Sequence, residues 1–198
     1  DQAFFSIVGG SGVLTFQAAP DFETPADNGS NNTYVVDVTA TDDGAGTLTD
    51  VQTITVTVTN ANEAPSITSN GGGGTASVNA AENQTAVTTV TATDPDAGDT
   101  VTFSISGGVD QAFFSIVGGS GVLTFQAAPD FGTPLDSGND NTYVVDVTAT
   151  DDGAGTLTDV QTITVTVTPV NNPPVITSDG GGGTASVNAA ENQTAVTT

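Results

Sequence analysis

Oxygen is the ligand chemistry this chain can offer. It carries 23 carboxylates and no His, Cys, Lys or Arg. Many of the carboxylates gather in short Gly-, Pro- and Asn-rich stretches: Pro20-Asp-Phe-Glu23, Asp42-Asp43, Glu63, Ala81-Glu-Asn83, Asp94-Pro-Asp96 with Asp99 close behind, Asp130, and Asp151-Asp152. Carboxylates brought together without counter-charge repel one another, and a hard divalent cation removes that penalty. With neither imidazole nor thiolate available, an all-oxygen donor set points to Ca²⁺ rather than zinc or copper. The same residues are also turn formers, because Asp and Asn close Asx turns, so any single Asp has two readings. Pairs such as Asp94 and Asp96, or Asp42 and Asp43, have the makings of acid–base catalysis. No nucleophile with a base accompanies them, and we expect no enzyme.

The net charge of −23 excludes further classes. Nothing in the side chains can offset phosphates, so nucleic acid is not an expected partner, and an anionic membrane surface is disfavoured for the same reason. No run is long and apolar enough to be inserted in a bilayer. Without Cys there is no disulfide, and without Lys there is no Lys–Asn cross-link. Mechanical strength then has to come from β ladders, packing and bound ions. Four Asn-x-Ser/Thr sequences, at Asn28, Asn31, Asn83 and Asn192, match the glycosylation pattern. In so Thr- and Asn-rich a chain they arise readily by chance.

The elements that must position these groups are duplicated. Residues 1–89 align with 110–198 without a gap and differ at 11 of 89 positions. The differences fall at 23–31 and 60–70 and their counterparts. A period of 109 residues is the size of a sandwich domain, not of a solenoid unit. We expect the C-terminal part of one repeat at 1–65, a complete repeat at 66–173, and the opening strands of a third at 174–198, the whole taken from a longer array. The strand pattern is one of alternation. Tyr34, Val36, Val38 and Ala40 face a core with Asp37, Thr39 and Thr41 outward; Ile54, Val56 and Val58 do the same in the following run. Val101, Phe103 and Ile105 line a further strand, and glycine-rich turns separate the segments. No stretch has a sustained helical period. The expected fold is all-β, a tandem of seven-stranded Greek-key β-sandwiches.

Between the repeats lies Asn60-Ala-Asn-Glu-Ala-Pro65, recurring as Pro169-Val-Asn-Asn-Pro-Pro174. Taken with Ala81-Glu-Asn83, Asp94-Pro-Asp96, Pro20-Asp-Phe-Glu23 and the Val-Thr-Ala-Thr-Asp run ending at Asp42, this linker resembles the calcium motifs of cadherin-type domains. The chain looks like the bacterial branch of that family, the cadherin-like repeats of large surface and secreted adhesins. The resemblance implies a Ca²⁺ site at the first junction. Asp21 and Glu23 would come from the upper repeat, Asn60, Asn62 and Glu63 from the linker, and Asp94, Asp96 and Asp151 from the lower repeat. At the second junction it implies Glu82, Asp130, Asn171 and Asn172. There Gly132 replaces the acidic residue and Pro169 the first polar linker residue, so fewer ions are expected.

The function implied is that of a structural extender in a long extracellular adhesin or surface fibre, made rigid by Ca²⁺ between domains. Its partners are the neighbouring repeats. Two other readings accompany it. One is a glycan- or host-surface-binding module, with the variable loop 23–31 as the place to look. The other is a fibre subunit whose incomplete ends are completed by strand exchange between chains.

Overall fold

The computed structural model describes residues 1–171 and 173–196. In chain order the strands are β1 (Phe5–Val8), β2 (Val13–Phe16), β3 (Thr33–Thr41), β4 (Thr49–Thr57), β5 (Ser66–Ile67), β6 (Thr75–Ala81), β7 (Ala86–Thr89), β8 (Ala92–Thr93), β9 (Thr102–Gly107), β10 (Phe114–Ile116), β11 (Val122–Phe125), β12 (Thr142–Thr150) and β13 (Thr158–Thr168). Helical structure among the described residues is limited to single 3₁₀ turns. No helix there is long and apolar enough to cross a membrane.

Residues 66–168 make a complete β-sandwich. One sheet has the order β6-β13-β12-β9 and the other β10-β11-β7, with β5 and β8 paired at one end. If the broken opening strand (β5/β6) and the broken second strand (β7/β8) each count once, the total is seven, as the alternation predicts. The opening strand changes sheet midway. β5 runs antiparallel to β8, whereas β6 runs parallel to β13, Thr75 opposite Thr162 and Ala81 opposite Thr168. The switch happens in the tetraglycine, where Gly71, Gly72 and Gly73 take φ of 92°, 69° and 73°, a region open to glycine without a Cβ penalty.

The core follows from alternation. On β12, Tyr143, Val145, Val147 and Ala149 are all at most 2% exposed, and on β13 Ile163, Val165 and Val167 meet them. Phe114 stacks on Phe125 at 4.7 Å, and Phe113 and Phe125 stand edge-on to Tyr143. Two polar residues depart from the inward-apolar, outward-polar pattern. Gln161, on the inward face with Ile163, is fully buried and donates from Nε2 to Gly73 O at 3.0 Å, holding the tetraglycine down. Thr148 is nearly buried and bonds Ser106 at 2.6 Å.

The flanking residues differ. β1 with β2 and β3 with β4 repeat the pairing of β10 with β11 and β12 with β13, including the ring geometry, around a small core of Phe5, Tyr34 and Val36. Residues 174–196, where the opening strands of a third repeat are expected, form no strand. They show only a 3₁₀ turn at Ser178–Gly180. The reason is pairing: β6 exists by its ladder to β13 and β7 by its ladder to β11, and no strands equivalent to β10–β13 follow within the sequence.

Candidate metal centre at the first junction

Three loops converge where the linker leaves β4 and enters β5. The turn after β8 presents Asp94, Asp96 and Asp99. Asp94 closes it as an Asx turn, its Oδ1 accepting Asp96 N–H at 2.9 Å. The end of β12 presents Asp151, whose Oδ1 accepts N–H bonds from Gly153 and Leu157. The linker is fastened to both. Asn60 Nδ2 donates to Asp96 Oδ1 at 2.5 Å, Glu63 N–H to Asp96 Oδ2 at 2.8 Å, and Asn62 Nδ2 to Asp151 Oδ2 at 3.0 Å. Asp96 and Asp151 are 5% and 3% exposed, so these bonds are sheltered from water.

Around this frame the carboxylates form two groups that share Asp96. Oxygens of Glu23, Glu63 and Asp96 lie within 4.8 Å of one another, as do those of Asp94, Asp96 and Asp99. The electrostatics divide accordingly. The Glu63 N–H and the Asn60 amide hold the Asp96 carboxyl below its usual range. Burial, then the charges of Glu23, Asp96 and Asp21, push Glu63 up. Burial, then Asp96, Asp152, Asp94 and Asp151, push Asp99 up. With no cationic side chain in the chain, nothing in the protein relieves this repulsion. Two carboxylate oxygens, Asp94 Oδ2 and Glu63 Oε2, are buried with no hydrogen-bond partner among the described residues. An open cleft of about 510 Å³, lined in part by Asp21, Glu23, Glu63 and Pro95, leads to the site. Gly153 completes the wall: a Cβ there would overlap Asn62 Oδ1 and Asp99 Oδ2.

Of the sequence-predicted residues, Glu23, Asn60, Asn62, Glu63, Asp94, Asp96 and Asp151 are thus brought together. Asp21 borders the site but is exposed. It caps its own turn, accepting N–H bonds from Glu23 and Thr24, and the Thr24 bonds first hold it below its usual range. Sequence reasoning counted Asp99 and Asp152 among the clustered carboxylates without assigning them to the junction, and did not single out Gly153. Asp99 lies three residues after Asp96 in the same turn, a visible signal. Asp152 accepts the Thr100 N–H at 2.6 Å and ties two of the loops together.

The second junction is built differently. Glu82 is 7% exposed and accepts N–H bonds from Val170 at 2.8 Å and Phe131 at 3.1 Å, so it holds linker and loop directly. Asp130 is exposed and caps the Gly132 N–H, and Asn171 is exposed. Among the described residues Glu82 and Asp130 join no cluster of three or more carboxylates; Asn172 lies outside the described residues. Other acids act as loop staples. Buried Asp136 accepts N–H bonds from Gly138, Asp140 and Asn141. Burial alone raises its carboxyl, but those bonds outweigh it and the group sits below its usual range.

Comparison with known proteins agrees with this architecture. Residues 75–168 match the family model described as the cadherin domain. No curated protein matches the chain. Mouse cadherin-23 EC22-24 is 24% identical with a TM-score of 0.52, over 84% of this chain and 50% of that one. Drosophila N-cadherin EC1-4 is 20% identical with a TM-score of 0.62, over 84% and 40%. Protocadherin gamma B2 extracellular cadherin domains 3-6 are 25% identical with a TM-score of 0.56, over 89% and 42%. The chain therefore spans half or less of the length of these structures. By family model and by fold, the complete module of this chain is a cadherin-like repeat.

Proposed function

We propose that the chain is an extender segment of a long extracellular adhesin or surface fibre, of the kind bacteria build, with Ca²⁺ stiffening the junction between repeats. The observation that carries this reading is the pair of carboxylate groups sharing Asp96, in a chain with no cationic side chain. The donors suit calcium: all are oxygens, they come from both repeats and the linker, and two are buried and unsatisfied. Glu23, Glu63, Asp94, Asp96 and Asp99 would hold the ion, with Asp21, Asn60, Asn62 and Asp151 shaping the loops around it. Bound calcium supplies the positive charge that the protein itself lacks.

The remaining work belongs to the chain. Asn60, Asn62 and the Glu63 N–H fix the linker against the lower repeat, and Glu23 reaches in from the upper one. Without calcium, the burial and like-charge repulsion that raise Glu63 and Asp99 oppose this closure. At the second junction Glu82 performs the linker attachment through hydrogen bonds, and fewer ions are required there. Small-angle scattering and limited proteolysis with and without a chelator test the proposal. Chelation is expected to broaden the distribution of end-to-end distances and to speed cleavage at 60–65. Identical scattering curves and cleavage rates in both conditions would remove calcium from the account.

A further inference from the structure

We propose that Asn70 is a site of spontaneous covalent modification, its side-chain amide being hydrolysed to a carboxylate after attack by the Gly71 backbone nitrogen. The chain contains two Asn-Gly pairs, Asn28-Gly29 and Asn70-Gly71. Glycine has no side chain to hinder the approach of its nitrogen, so residue order alone makes the two pairs equivalent. The fold separates them. The Gly29 N–H is donated to Asp27 O at 2.8 Å, which occupies the attacking nitrogen. The Gly71 N–H makes no hydrogen bond among the described residues, and Gly71 is exposed. The Asn70 side chain is primed at both ends. Its Oδ1 accepts the Thr88 hydroxyl at 2.9 Å. Its Nδ2 is buried with no partner, so the folded chain already bears the cost of an unmet donor there. The sequence also carries the product at this position: Asp179-Gly180 stands where the complete repeat has Asn70-Gly71. The two residues share one backbone geometry, φ 54° and ψ 31° at Asn70 against φ 53° and ψ 35° at Asp179, so the turn takes a carboxylate without changing shape.

The reaction balances with water alone. Hydroxide from solvent removes the Gly71 amide proton, and the nitrogen attacks Asn70 Cγ. As the new C–N bond forms, negative charge gathers on Oδ1, where the Thr88 O–H already donates. Collapse breaks the Cγ–Nδ2 bond; the leaving nitrogen takes a proton from water and departs as ammonia. Water then opens the cyclic imide at either carbonyl, giving aspartate or its β-linked isomer. The net change is a water consumed, an ammonia released and a further negative charge on a chain already at −23. Ring closure needs rotation about the Asn70 ψ, away from its resting 31°. The 3₁₀-turn bond from Gly72 N–H to Ser69 O, at 2.9 Å, opposes that rotation. The ends of the loop stay anchored, because Gln161 Nε2 donates both to Ser69 O at 3.4 Å and to Gly73 O at 3.0 Å. The turn can therefore open without unpairing β6. The β-linked product lengthens the backbone between those two anchored carbonyls, at the point where the opening strand changes sheet.

Peptide mapping by mass spectrometry of the 198-residue chain, aged at mildly alkaline pH, is the test. Each Asn-Gly pair is followed by the mass change of amide to acid, with electron-transfer fragmentation to separate aspartate from its isomer. In the folded chain Asn70 is expected to react several-fold faster than Asn28. In concentrated urea the two should react at like rates, because the fold makes the difference. Thr88→Val should slow the reaction at Asn70 several-fold, and Thr88→Ser, which keeps the hydroxyl, should restore the parent's rate. Equal rates at the two sites in the folded chain overturn the inference, and so does an ordering that survives unchanged in urea. A Thr88→Val variant that reacts as fast as the parent overturns it too. The comparison of Asn70 with Asn28 needs no substitution, so it decides the matter even where a Thr88 variant fails to fold.

Discussion

Gly153 and Gly44 occupy the same position in two copies of one sequence, and they make a sharp test of the first junction. A Cβ on Gly153 would overlap Asn62 Oδ1 and Asp99 Oδ2, which belong to the linker and to the acidic turn. A Cβ on Gly44 would meet only its own Asp42 carboxylate, at an ordinary 3.7 Å. Neither glycine takes the positive φ that would strain an alanine. Gly44→Ala should therefore be neutral or slightly stabilising, by about 0.4–1 kcal/mol through the unfolded chain. Gly153→Ala makes the same gain but must displace Asn62, and overpacking of this kind costs about 1–3 kcal/mol. The net cost of about 1–2 kcal/mol falls on the closed junction rather than on the sandwich core, which it does not touch. It corresponds to a roughly 5–30-fold shift toward the open junction. Hydrogen exchange read at 60–65, with calorimetric calcium titration of both variants, is the assay. We expect faster linker exchange and weaker calcium binding in Gly153→Ala, with Gly44→Ala matching the parent. If the two variants behave alike, the linker does not lie against the 151–153 turn and the geometry of the site is wrong.

The raised carboxyls set a direction with pH. For Glu63 and Asp99 the folded value is above the unfolded one, so their contribution to the calcium-free junction is full below the ordinary carboxylate range. It is lost as pH rises through the raised values. Asp96 is shifted the other way: its contribution is present above the ordinary value and lost as pH falls through its lowered one. The metal-free linker should therefore become better protected on moving from neutral to mildly acidic pH, while calcium binding weakens as protons compete; calcium affinity independent of pH across that window would contradict this. Glu82→Ala strips the acceptor from two N–H groups at the second junction and should lower stability by about 3 kcal/mol, seen as a lower urea midpoint. Glu191→Ala, at the same position in the tail, should leave that midpoint unchanged, because residues 184–191 pair with no strand of their own chain.

Much of the site was legible because its parts are local. The Asp94-x-Asp96 turn, the Asn60–Glu63 linker and Asp151 after a strand are each a short motif, and their order along one repeat implies a meeting at its end. Asp99 was in view but indistinguishable from an ordinary turn former, since its distinction is its burial and the like charges of Asp96 and Asp152 beside it. Gly153 has no sequence signal at all, for Gly44 carries the same neighbours and meets only the Asp42 carboxylate beside it. Gln161 is similar: alternation puts it on the inward face with Ile163, but only the fold brings the tetraglycine carbonyls that take up its amide.

The alternation of apolar residues, the 109-residue repeat and the carboxylate-only chemistry follow from the order of residues alone, and they determine strand type, domain size and the class of ion. How deeply a strand is buried does not follow from its own residues. Thr33–Thr41 and Thr142–Thr150 are the same nine residues, yet Ala40 is exposed and Ala149 is fully buried. The difference lies in β6 and β9, which pair with the second copy and not with the first. Burial is a property of the assembled sheets, set by which distant strands reach a face, so identical sequence ends in two different environments.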